Sequence, residues 1–197
     1  LRDNINKIIK TSENNIFIFG GSASIYFNHK RFYNNGIFLS NHENIYLKEN
    51  NKNFKTKILE KDFTGLIEKI SKNNGVIIIY PIPEIGFSLP DKLKMTTALE
   101  EKLKVNKHLY QFKYDKYYKV NEEIISLYDR LNRKNLRKVY PQNLFCNTAF
   151  SNECIIHDDK NIFFSDKYHP STKGAELINK LIIKKIYSLN SYLDNLN

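Results

Sequence analysis

The stretch "GVIIIYPIPE", Gly75–Glu84, decides the fold. Four consecutive β-branched residues, Val76 to Ile79, precede Tyr80 and two prolines. A strand solvated on one face alternates apolar and polar side chains. A continuous β-branched run fits a strand covered on both faces, as in a parallel sheet between helix layers. Pro81 and Pro83 break the run far short of the ~20 residues that a membrane helix requires, and the following "PIPEIGFSLP" is a loop.

Working outward, "KDFTGLIEKISKNNG" before it predicts a helix. Asp62 is its N-cap, Leu66, Ile67 and Ile70 form its buried stripe, and Gly75 marks its stop. Earlier still, residues 2–11 predict a helix on Ile5, Ile8 and Ile9, and "NIFIFGG" a short buried strand. Phe27 to Lys61 reads as polar loop. Downstream, helices are predicted over Thr97–Phe112 and over Asn121–Arg133, the latter on Ile124, Ile125, Tyr128 and Leu131. "RKVYP" predicts a short strand and "NIFFSD" an extended segment. A last helix starts near Ser171 or Thr172 on Ile178, Leu181, Ile182 and Ile186. This alternation predicts an α/β fold, a three-layer sandwich with a mostly parallel sheet and catalytic loops at the carboxyl ends of its strands. No linker or internal repeat divides the 197 residues, so one domain over 1–197 is expected.

Composition narrows the function. Hydrophobic residues make up 41% and charged residues 26% of the chain, as in an ordinary globular domain. The net charge is +10, but lysines and arginines occur in nearly every segment, with modest clusters at "RLNRKNLRK" and "KLIIKK". A nucleic-acid interface concentrates them on one face, so no nucleic-acid partner is expected. No glycine-rich phosphate loop occurs, which argues against a nucleotide enzyme, and no cofactor is expected. Cys146 and Cys154 stand in "FCNTAFSNEC", where His157 alone does not complete a zinc site. A short disulfide loop is the preferred reading over two free thiols, and it implies an oxidising compartment. The chain opens on Leu1, and "LRDNINKIIK" has no signal core, so it reads as the interior of a longer protein.

The residues that point to chemistry are Asp166 and His169 in "FFSDKYHPSTKGAELI". A carboxylate that accepts a hydrogen bond from one imidazole nitrogen fixes the tautomer and leaves the other nitrogen as a base. A spacing of three on a tight turn can bring the two together. A strand before them, a capped helix after them, and Gly174-Ala175 where that helix packs closely strengthen the reading. Other candidates are weaker. Glu84 lies on the proline loop, either as a solvated turn acid or as part of an acyl or sugar pocket. His157 with Asp158 and Asp159 precedes its strand and reads as a solvated turn. His29, His42 and His108 read as surface residues, and Tyr168 either lines a pocket or packs on the last helix.

The Asp166–His169 block resembles the last block of the SGNH hydrolase superfamily, where such a pair completes a Ser-His-Asp triad. "IFIFGGSASIYFNHKRFYNNG", "VIIIYPIPEIGFSLP" and "VYPQNLFCNTAFSNEC" are similar, in the same order, to one branch. That branch is the SGNH domain fused to acyltransferase family 3 membrane proteins, the O-acetylases of bacterial surface polysaccharides. The resemblance implies acyl-ester transfer or hydrolysis, most simply O-acetylation of a polysaccharide. It implies a covalently linked upstream membrane acyltransferase domain and a place on the periplasmic or other extracytoplasmic face of the membrane. The sequence departs from the family in two places. No Gly-Asp-Ser occurs, and Ser22-Ala23 stands where the branch carries Arg-Trp. The preferred explanation is a C-terminal part whose nucleophilic serine, and with it the first strand of the sheet, lie upstream of Leu1. The alternatives are a complete small esterase with Ser22 as nucleophile, and an inactive SGNH-like glycan-binding module.

Overall fold

The computed structural model describes residues 2–21, 30–33, 36–39, 52–86, 111–158 and 160–194. Its elements are α1 (Arg2–Thr11), β1 (Ile16–Phe19), β2 (Lys30–Tyr33), β3 (Gly36–Leu39), α2 (Lys52–Ile70) and β4 (Gly75–Ile79). They continue with β5 (Gln111–Lys113), α3 (Tyr114–Arg130), β6 (Leu136–Val139), α4 (Gln142–Phe145), β7 (Glu153–Ile155) and α5 (Thr172–Asp194).

β4 is the centre of a parallel sheet ordered β1-β4-β6. Phe17 pairs with Val76, and Val76 with Leu136. Both faces of β4 are covered, which is why its sequence does not alternate. Val76 and Ile78 face a cluster that includes Ile67 and Ile70 of α2 and Ile124 and Tyr128 of α3. Ile77 faces the other way, into Val139, Leu189 and Leu193, so α5 forms the opposite layer. All three β4 side chains are fully buried. The protein is therefore the α/β sandwich that the isoleucine run implies.

The connections at the amino ends of the strands are tied by one buried side chain. Asn74 donates to the Ser12 carbonyl at 2.9 Å and accepts from the Asn15 N–H at 3.0 Å, joining the turns before β1 and β4. Gly75 begins β4 instead of ending α2. A Cβ there would come within 2.6 Å of Leu189 Cδ2, so the glycine lets α5 approach the sheet.

Several boundaries differ from the sequence expectation. Within 27–61, read as loop, β2 and β3 form an antiparallel pair, and α2 begins at Lys52, so Asp62 lies inside the helix and is not its cap. The first half of α2 leaves Ile58 and Leu59 exposed. No apolar stripe announced it, and straight-chain residues of good helix propensity carry it. α3 begins at Tyr114, ahead of the expected Asn121, and ends at Arg130. Tyr117 and Val120 extend its buried stripe. Gln111 and Phe112, expected in a helix, lie in β5, which pairs antiparallel with β7; the rest of that expected helix lies outside the described residues. Cys146 and Cys154 form a disulfide that joins the end of α4 to β7.

Candidate active site

The turn that carries Asp166 and His169 is built on a buried aromatic anchor. Phe163 and Phe164 are buried, and Phe145 packs on both, with ring centroids 5.5 and 5.2 Å away. Phe163 N–H donates to the Ile156 carbonyl at 2.8 Å. Beyond the anchor the chain loops out and returns. Ser165 N–H donates to the His169 carbonyl, and Ser171 N–H to the Phe163 carbonyl, both at 2.9 Å.

The return leads directly into α5. Ser171 is its N-cap, accepting the Gly174 N–H at 3.1 Å. Gly174 is obligatory in this packing, since a Cβ would come within 2.1 Å of the Phe163 carbonyl oxygen. The loop is thereby held between two rigid pieces, the aromatic anchor and the first turn of α5.

Inside the loop the Asp166 carboxylate has two tasks. Its Oδ1 accepts the backbone N–H groups of Tyr168 at 2.7 Å and His169 at 2.9 Å, closing an Asx-type turn. Its Oδ2 lies 2.8 Å from His169 Nδ1, with Oδ1 at 3.0 Å. An ionised carboxylate only accepts, so this contact places the ring proton on Nδ1 and leaves Nε2 as an acceptor. Desolvation pushes the Asp166 pKa up. The N–H of Tyr168, the His169 ring and the His169 N–H outweigh it and hold the carboxyl below its ordinary value. The pair is open to solvent, the His169 side chain 72% exposed and that of Asp166 50%. A ring in this position can receive a reactant; a sealed one could not.

The proline loop reaches this turn from the carboxyl end of β4. Ile85 N–H donates to the Lys167 carbonyl at 3.1 Å, and Gly86 N–H approaches the same oxygen at 3.5 Å. Tyr117, on α3, donates its buried hydroxyl to the Pro81 carbonyl at 2.8 Å. Glu84 is only 8% exposed, so it is not the solvated turn acid of one sequence reading. It lies one residue from the contact with the Asp166–His169 turn. No sequence signal announced that contact, which is made by backbone atoms alone.

The remaining candidates fall elsewhere. Asp158 Oδ1 accepts the N–H groups of Lys160 and Asn161, a local turn. His157 Nδ1 lies 3.0 Å from the Asp158 backbone carbonyl. Tyr168 is half-buried. Ser22, His29, His42, His108 and Asp159 lie outside the described residues. Gly20 and Gly21 leave β1 at the same end of the sheet as the proline loop, because β1 and β4 are parallel.

A family model described as "SGNH domain (fused to AT3 domains)" matches residues 2–184. The chain belongs to this SGNH family. The match spans the sheet, the proline loop, the disulfide and the Asp166–His169 turn. It assigns the domain to hydrolase- or acyltransferase-type chemistry and to a kind of protein in which an SGNH domain is covalently joined to an AT3 domain. No curated protein and no solved structure matches the chain. Among the described residues no helix is long and apolar enough to cross a membrane.

Proposed function

We propose that this SGNH domain handles acyl esters, and that its reaction is O-acetylation of a cell-surface polysaccharide on the extracytoplasmic face of a bacterial membrane. The observation that carries the reading is the 2.8 Å contact of Asp166 with a solvent-open His169, in a chain of the SGNH family. Asp166 orients the ring. His169 Nε2 takes the proton of a serine hydroxyl as its oxygen attacks the acyl carbonyl. The ring then returns that proton to the leaving oxygen. In the second half, a sugar hydroxyl gives its proton to Nε2 while its oxygen attacks the acyl-serine. The serine regains the proton and leaves.

The joined acyltransferase domain supplies the acyl group, and no cofactor enters the cycle. No Gly-Asp-Ser occurs within residues 1–197; the nucleophile is accordingly assigned to such a block outside them. Ser22, beyond the glycines that end β1, is the second candidate. The test is His169→Ala in the full-length protein, read as acetyl content of the polysaccharide. The reading expects acetylation to be lost. Parental acetylation would remove His169 from the mechanism.

A further inference from the structure

The Asp166–His169 turn is polar and exposed, yet an acyl-transfer base must hold its direction closely. A solvent-open turn held only at its two ends would sample more orientations than one also tied at its middle. At its middle, a backbone tie to the proline loop runs through Lys167, the residue after the aspartate. That carbonyl faces the N–H groups of both Ile85 and Gly86. The donors sit on a fixed base. Ile85 is fully buried in the core, and Tyr117 pins the start of the loop through Pro81. Gly86 has φ of 71°, in the left-handed region that side chains disfavour.

We propose that the Ile85–Gly86 backbone is a positioning clamp for the triad: it holds the Lys167 carbonyl and so fixes the direction in which the Asp166–His169 pair presents its imidazole. Glycine suits position 86 because its φ of 71° is disfavoured for residues with a Cβ, and a β-branched residue there would force the backbone to move and carry the clamp N–H groups with it. The clamp acts through His169 and touches no substrate. It therefore rests on the function proposed above.

The test uses the full-length protein. Gly86→Val, which opposes the left-handed conformation most strongly, should lower the kcat of acetyl transfer about tenfold with KM within about twofold, the signature of misdirected chemistry and not of lost binding. Gly86→Asn, which tolerates the left-handed region, should recover to within about threefold of the parent. Gly65→Ala, at an open position of α2 with nothing within 4 Å of the added Cβ, should leave transfer unchanged. An ester replacing the Glu84–Ile85 amide deletes one donor without changing a side chain, and serves if Gly86→Val does not fold. It should reproduce the fall in kcat. Parental kcat in Gly86→Val or in the ester variant, with His169→Ala inactive, overturns the clamp and leaves the triad standing. Full activity of His169→Ala overturns both.

Discussion

Asp166 Oδ1 accepts the backbone N–H of His169 at 2.9 Å while Oδ2 of the same carboxylate meets the ring Nδ1 of that residue at 2.8 Å. One acid thus shapes the turn and orients the imidazole that the turn carries. The pairing is local, so a spacing of three residues suffices to encode it. Asp166→Asn keeps the shape but offers an amide that can donate to the ring and favour the wrong tautomer. It should lower kcat by roughly two to four orders of magnitude with little change in KM, measured as initial rates of acetyl transfer. Asp166→Glu should fare no better, because the longer side chain cannot satisfy the Tyr168 and His169 N–H groups and the ring together.

The same contacts make the turn sensitive to acid. The Asp166 carboxyl is held below its ordinary value in the folded protein. Between the folded and unfolded pKa values the unfolded chain binds more protons, so stability there rises with pH. The contribution of Asp166 is complete above the unfolded pKa and is lost as pH falls through the lower folded one. Half-exposure keeps it small. Denaturant titrations should show Asp166→Asn less stable than the parent at neutral pH. The gap should close as pH drops below the ordinary carboxylate range. A gap that widens in acid would contradict the assignment.

Two glycines separate a rigid contact from a yielding one. At Gly174 an added methyl meets a backbone oxygen at 2.1 Å, and at Gly75 it meets the flexible end of Leu189 at 2.6 Å. Gly174→Ala should therefore destabilise the domain by about 3 kcal/mol, at the upper end of overpacking costs, and Gly75→Ala by about 1 kcal/mol. Gly174→Ala should also reduce transfer, since the start of α5 must shift away from the carbonyl that anchors the Asp166–His169 turn. Thermal and denaturant unfolding of the two variants measures the order.

The Cys146–Cys154 bond closes a short loop between α4 and β7. Replacing both cysteines by alanine should cost about 2–3 kcal/mol by loop-closure entropy. Phe145, next to Cys146, packs on Phe163 and Phe164, so loosening this corner should lower activity before global unfolding. Activity followed through a denaturant series, with and without reductant, separates the two events.

Much of this architecture was legible in the chain. β4 announced itself because both of its faces are covered, and α5 because Ile178, Leu181, Ile182 and Ile186 keep helical spacing on one side. Asp166 and His169 could be paired from their spacing because the contact is made within a single turn. The first half of α2 was not legible, since its exposed Ile58 and Leu59 give no stripe. The start of α3 was not legible because charged residues stand among its tyrosines, of which Tyr117 is buried and Tyr118 exposed. The tie from Ile85 and Gly86 to Lys167 leaves no side-chain pattern at all.

Labelling of the full-length protein by a serine-directed phosphonate, with peptide mapping of the adduct, tests the central claim most directly, because it reads nucleophile activation apart from any sugar. The account predicts one modified serine in the parent and a labelling rate at least about a hundredfold lower in both His169→Ala and Asp166→Asn. Labelling of the same serine at the parental rate in His169→Ala would contradict it.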